Sequence, residues 1–238
     1  MSEKIQVRRV ALNNFDLVAS KTAEFTEFRS DTRGALLIFA KAPIAGQVKT
    51  RLIAELGPTG AMNIYLSLLQ RTLCLAQSFR NYPTQLWCSP NASHVVFEQC
   101  SHEFEVSLHN QYGQDLGQRM DNAIQHVLQN RDFALLIGCD CPVLKLDDLV
   151  ASVHALERGF DCVLGPAEDG GYVLIGLRRP EPGIFNGIDW GSDRVYHQTR
   201  SSLERLGLSY FELPMRWDLD RPDDLARYRH LPDFKAGN

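Results

Sequence analysis

Ala35-Leu36-Leu37-Ile38-Phe39 is a run of five apolar residues, readable as a short strand buried on both faces of a parallel sheet. It leads into Lys41-Ala42-Pro43-Ile44-Ala45-Gly46-Gln47-Val48-Lys49-Thr50-Arg51-Leu52, after which Leu56, Met62, Ile64, Leu66, Leu69 and Leu73 recur at roughly helical spacing. The segment between is therefore a strand-to-helix loop carrying two lysines, an arginine and a glycine. In open α/β sheets ligands bind at that place, outside the carboxyl end of a strand. Backbone N–H groups and cations that face one point suit a phosphate. A solvated basic loop is the plainer alternative, and the strand–loop–helix context weighs against it. The loop is not a Walker P-loop, because Val48 stands where that motif needs the glycine before its lysine. A G-x-G-x-x-G fingerprint is missing throughout, which argues against a dehydrogenase.

Composition narrows the function classes. A length of 238 residues with 44% hydrophobic content predicts one large domain with an ample core. The net charge of −4 provides no basic field for nucleic acid, so an anionic ligand has to be held by local cations. No apolar run approaches the ~18 residues of a membrane span, and no signal-peptide core is visible near Lys4, Arg8 and Arg9. The expected location is the cytoplasm, with neither membrane nor nucleic acid as partner. Six cysteines without a C-x-x-C pair read as reduced and partly buried.

Taken in order, residues 1–33 read as a peripheral N-terminal extension, poorly ordered, and 34–238 as one domain. Gly57-Pro58 breaks the first helix, and Thr59 caps a longer one to about Phe79. Gln85 to Cys88 is a strand, Ser93 begins a short helix, and Phe104 to Leu108 is a further strand. Asp115 is an N-cap for a helix with Met120, Ile124 and Val127 on its buried stripe; Arg119 faces elsewhere. Ala134-Leu135-Leu136-Ile137-Gly138 is the clearest buried strand and ends in Cys139-Asp140-Cys141-Pro142. A carboxylate at that tip is well placed for a divalent cation, or else caps the turn before Pro142. Asp147 and Asp148 open a helix. Asp161–Pro166 and Tyr172–Leu177 are strands joined by Ala167-Glu168-Asp169-Gly170-Gly171, a β-hairpin in which Asp169 alone is only suggestive. A helix from about Asp193 to Leu206 and a strand at Tyr210–Leu213 follow. Asp223 and Asp224 suit a helix N-terminus, and alternation along Asp218-Leu219-Asp220 leaves one of those aspartates to face the site. The result is an α/β chain with a mixed, mainly parallel sheet, helices on both faces and one β-hairpin.

Five stretches occur in a telling order: K-A-P-x-x-G-x-V-K-T-R-L, D-L-G-x-R-M, I-G-x-D-x-P, G-P-A-x-D-G-G-Y-x-L-I-G-L and D-x-D-x-P-x-D-L. Over roughly residues 34–230 they resemble a bacterial family of GT-A-type transferases, often labelled radical-SAM/selenodomain-associated or arsenosugar-biosynthesis glycosyltransferases. That family belongs to the nucleotide-diphospho-sugar transferase superfamily and is similar to phospholactate guanylyltransferase. Ala45 departs from it, since proline is usual there. The resemblance implies a GT-A, Rossmann-like fold, a nucleotide (an NTP or NDP-sugar) and a small-molecule acceptor as partners, and Mg²⁺ or Mn²⁺ as cofactor. It implies a nucleotide-contacting set of Lys41, Gly46, Lys49, Thr50, Arg51 and Arg119. Asp140 is the implied metal ligand with Asp220 as a second, Asp169 faces the acceptor, and Asp140, Asp169 and Lys49 are the implied catalytic groups.

Two chemistries use those parts. Nucleotidyl transfer needs positioning and charge neutralisation as pyrophosphate leaves. Glycosyl transfer needs in addition a carboxylate base near the acceptor. The cationic loop favours the first slightly; a non-catalytic nucleotide-binding regulator is the alternative outside enzymes.

Overall fold

A computed structural model describes residues 33–231, so the N-terminal extension lies outside the described residues. The predicted first strand is β1 (Gly34–Lys41), and the helix after the basic loop is α1 (Ile53–Ser78), entered through a 3₁₀ turn at Thr50–Leu52. The predicted break in α1 is present: Gly57 adopts φ 69°, ψ 169°, outside helical values, directly before Pro58. There follow β2 (Thr84–Ser89), α2 (Val95–Phe104), β3 (Ser107–Asn110), α3 (Leu116–Leu128), β4 (Phe133–Gly138) and α4 (Leu146–Glu157). The last third contains β5 (Cys162–Pro166), β6 (Tyr172–Leu177), α5 (Val195–Arg205), β7 (Tyr210–Glu212) and α6 (Pro222–Arg229). One expectation is corrected here. Phe104 is the last residue of α2 rather than the start of a strand, and the chain leaves the helix at Glu105, in left-handed geometry with φ 53°.

The seven strands form one sheet in the order β3-β2-β1-β4-β6-β5-β7. β1 pairs in parallel with β2 and with β4, and β5 in parallel with β7. β6 alone among the described strands runs against its neighbours, because it is the return arm of the β5–β6 hairpin. From β1 the chain goes out to β2 and β3 on one side and then crosses back to β4 on the other. The topological switch point therefore lies between the carboxyl ends of β1 and β4, where open α/β sheets hold their ligands.

Period-two alternation divides the strands between two cores. Leu36 and Ile38 with Leu135 and Ile137 face α1, α2 and α4, whereas Ala35 and Leu37 with Ala134 and Leu136 face α3 and α5. All are buried, which explains why both central strands read as unbroken apolar runs. A third, smaller cluster joins Leu52 and Leu68 to Trp217, Leu219, Leu225 and Tyr228, and so clamps the segment before α6 onto α1. That clamp brings a stretch more than 160 residues downstream back to the basic loop.

Candidate active site at the switch point

The loop after β1 is pinned at both ends by burial. Ala42 and Val48 enter the core, and the Ala42 amide donates to the Ser89 carbonyl at the tip of β2 at 2.7 Å. Between them Ala45, Gly46 and Gln47 are exposed. Lys49 then takes a left-handed backbone conformation, φ 47° and ψ 43°, which costs a non-glycine residue about 1 kcal/mol. That turn sends its side chain inward.

The Lys49 ammonium donates to the Leu219 carbonyl at 2.6 Å, meets Asp140 Oδ1 at 2.6 Å and Asp220 Oδ1 at 3.3 Å, and its side chain is only 3% exposed. Burial by itself would lower its pKa. The carboxylates of Asp140, Asp220 and Asp218 outweigh that, and the net shift is upward. Arg51, at the mouth, pairs with the other oxygen of Asp220 at 2.7 Å and is largely exposed.

Asp140 lies two residues beyond the end of β4, and its carbonyl accepts from the Leu219 amide at 2.8 Å, which ties the two acidic segments together through the backbone. Trp217 and Leu219 are buried in the third cluster, so Asp218 and Asp220 both point to the opposite side, toward Asp140. The expectation that one of the two would face the site is thus replaced by a pair. Asp218 is pushed up to about 8, first by burial and then by the neighbouring Asp140 and Asp169 carboxylates. It is a member of the acidic cluster that spacing alone did not single out.

The segment carrying these aspartates is braced from below. Arg216 donates to both oxygens of Asp148 at 2.6 and 3.1 Å, and Asp148 also accepts from the Lys145 amide at 2.9 Å at the start of α4. Asp224, in the first turn of α6, accepts from the Asp220 and Arg221 amides. Arg227 pairs with Glu168 and lies over the Trp217 ring, 4.4 Å from its centre.

The remaining predicted residues fall around this centre. Asp169 accepts from the Gly171 amide at 2.9 Å as part of its turn, and its charge also reaches Asp218. Gly170, at φ +87°, lies so close to the Asp193 carbonyl that a Cβ would stand 2.0 Å from its oxygen. Lys41 is exposed at the loop's start, with its amide held by the Tyr65 hydroxyl at 2.7 Å. Thr50 is exposed and opens the 3₁₀ turn. Arg119 reaches Ser89 Oγ at 3.5 Å and the Gly113 carbonyl at 3.2 Å, one residue removed from the loop. Asp140, Asp218, Asp220, Lys49 and Arg51 therefore form one cluster that the charge of Asp169 reaches; Lys41, Gly46 and Thr50 belong to the loop that carries Lys49, and Arg119 meets Ser89 beside that loop.

Among the described residues, no group of three or more His, Cys, Asp or Glu side chains is arranged to hold a metal ion. Mg²⁺ needs less, because one or two carboxylates plus waters and phosphates complete its shell. One ammonium reaches both Asp140 and Asp220, so a small rotation would let a single ion with ligands at about 2.1 Å take both. The residues fit a hard divalent cation.

Residues 72–192, just over half of the chain, match the family described as "Uncharacterized protein conserved in bacteria (DUF2064)". The chain belongs to DUF2064. A solved structure similar to this DUF2064 chain is the "putative nucleotide-diphospho-sugar transferase" from Desulfovibrio desulfuricans G20. It is 29% identical, with a TM-score of 0.76, and the match covers 87% of this chain and 91% of that one. A cytidylyltransferase from Leptospira borgpetersenii serovar Hardjo-bovis follows at 16% identity and TM-score 0.54, covering 81% and 83%. Glucosyl-3-phosphoglycerate synthase from Mycobacterium tuberculosis, solved with Mn²⁺ and UDP, matches at 10% identity and TM-score 0.50, covering 82% and 75%. No curated protein matches the sequence significantly. The fold of this chain is that of the nucleotide-diphospho-sugar transferases, and its structural neighbours are transferases of both nucleotidyl and glycosyl kinds. No helix among the described residues is long and apolar enough to cross a membrane.

Proposed function

We propose that residues 34–238 form a cytoplasmic, divalent-metal-dependent transferase that acts on a nucleotide-activated donor. The preferred reaction moves a nucleoside monophosphate from an NTP to a small phosphorylated or hydroxyl acceptor, with release of pyrophosphate. The observation that carries this reading is the convergence of Asp140 and Asp220 directly beneath the cationic β1–α1 loop, at the switch point of the sheet.

When bound, Mg²⁺ or Mn²⁺ held by Asp140 and Asp220 would neutralise charge on the donor's phosphates. Arg51 and Lys41, exposed at the mouth, orient the phosphate chain. Arg119, held beside Ser89, bounds the nucleotide on the β2 side. Asp169, in the hairpin turn, would serve the acceptor side and take the acceptor's proton. Asp218, raised to about 8 by burial and by the Asp140 and Asp169 carboxylates, lies beside the proposed metal ligands. Glycosyl transfer from an NDP-sugar is the second reading, and it draws on one specific feature, the closeness of Asp169 to the acidic cluster.

The test is calorimetric binding of each NTP and NDP-sugar with Mg²⁺, followed by product analysis. Pyrophosphate identifies nucleotidyl transfer and a nucleoside diphosphate identifies glycosyl transfer. Arg51→Ala should weaken the nucleotide by about 1.5–3 kcal/mol, the value of a charge-assisted hydrogen bond. Asp169→Asn should leave affinity intact and lower turnover. A folded protein that binds none of these ligands overturns the reading and leaves the loop a solvated one.

A further inference from the structure

Lys49 has a double position in this site. Its sequence neighbourhood is a phosphate loop, yet its ammonium lies between the two carboxylates assigned to the metal. All three of its N–H bonds have acceptors: the Leu219 carbonyl, Asp140 and Asp220. The side chain is 3% exposed, and a left-handed backbone at Lys49 holds it there. This is a built interaction across 170 residues of sequence, closed by the backbone bond from Leu219 to Asp140.

We propose that Lys49 is a resident counter-ion that a divalent cation must displace, so that the metal and the nucleotide load together. The inference rests on the transferase reading above. A cation that draws Asp140 and Asp220 into its shell removes two of the three acceptors of the lysine. A buried ammonium left with the Leu219 carbonyl as its one hydrogen-bond acceptor and the more distant Asp218 as its remaining carboxyl neighbour has lost its close ion pairs, which is strongly unfavourable. The free protein therefore resists the metal. Nucleotide phosphates change the balance, since they offer Lys49 new acceptors toward the mouth, where Arg51 and Lys41 stand. The lysine then serves two states in turn: it neutralises the acidic cluster before the substrate arrives and contacts phosphate afterwards. Arg51 lacks this role, because its bond to Asp220 is solvent-exposed and can be exchanged for water at little cost.

The experiment measures Mn²⁺ binding to the nucleotide-free protein by electron paramagnetic resonance, in wild type, Lys49→Met and Arg51→Ala. Lys49→Met should bind Mn²⁺ at least about tenfold more tightly than wild type, because the carboxylates lose their internal cation. Arg51→Ala should change the affinity by less than about threefold, as expected for a screened surface charge. Equal Mn²⁺ affinity in wild type and Lys49→Met overturns the proposal, and so do equal gains in both variants, which would reflect net charge alone. Nucleotide binding with Mn²⁺ is measured in parallel. If wild type binds nucleotide but Lys49→Met shows no gain, the inference alone fails; if wild type binds no nucleotide, the transferase reading fails with it. Should Lys49→Met not fold, Lys49→Gln replaces it. The wild type also offers a direct readout, because the chain has only six lysines and their ¹³Cε resonances can be resolved. Mg²⁺ alone should leave the Lys49 signal in place, and Mg²⁺ with nucleotide should move it. A shift with Mg²⁺ alone would contradict joint loading.

Discussion

Replacing Arg216 by methionine should cost about 3 kcal/mol of folding stability, although Arg216 itself touches no reacting group. Asp148 is 4% exposed and receives two hydrogen bonds from the guanidinium, whose own side chain is 21% exposed. The variant leaves that carboxylate buried with only the Lys145 amide from its present partners. Removing one partner of a buried pair costs about 3–5 kcal/mol, and the partial exposure of Arg216 points to the lower end. For a chain of this size each kcal/mol is worth about 2–4 °C, so Tm should fall by roughly 6–12 °C. Urea unfolding followed by tryptophan fluorescence measures the loss. A double variant, Asp148→Leu with Arg216→Met, should recover part of it, because the pair as a whole repays little more than its own desolvation while the Lys145 amide loses its capping acceptor. The single variant should also bind nucleotide more weakly, since Arg216 anchors the segment that carries Asp218 and Asp220. A loss below about 1 kcal/mol would refute the brace, for that is the range of an exposed pair.

Two further outcomes follow from local geometry. Gly170→Ala should cost about 1–3 kcal/mol by thermal unfolding, the range for a strained backbone, because its Cβ would strike the Asp193 carbonyl; an unchanged Tm would mean that the close approach is not maintained. His109 stacks on Trp87, and its pKa is lowered first by burial and then by His126, while Ser107 Oγ stands 3.0 Å from its ring nitrogen. The unfolded chain therefore takes up the proton first as pH drops below the ordinary histidine value near 6.5, and stability is lost as pH falls through the folded value. His109→Gln should reduce the slope of stability between about pH 7 and 5, and identical slopes would assign it to other groups.

The parallel half of the fold was readable because β1 and β4 are buried on both faces and carry no polar interruption, and the hairpin because its turn residues are unambiguous. Phe104 was misread for a physical reason: Phe104 and Val106 are both buried, but one closes a helix and the other lies beyond its left-handed exit, and a short apolar run does not distinguish these. The aspartate after β4 was legible from its place at a strand tip. The destination of Lys49 was not. Spacing makes it a loop cation like Arg51, and only the clamp of Trp217 and Leu219 against α1 shows that acceptors 170 residues away reach it first. Asp218 was passed over because its importance comes from burial beside Asp140 and Asp169, which no local pattern encodes.

The central claim is that Asp140 and Asp220 hold a divalent cation against a nucleotide bound at the β1–α1 loop. Isothermal titration of the tightest-binding nucleotide, with and without Mg²⁺, tests it most directly in wild type and Asp140→Ala. Mg²⁺ should tighten wild-type binding by about tenfold or more, equal to about 1.4 kcal/mol, and Asp140→Ala should abolish the enhancement while remaining folded. Equal wild-type affinity with and without Mg²⁺, or full enhancement in Asp140→Ala, would contradict it.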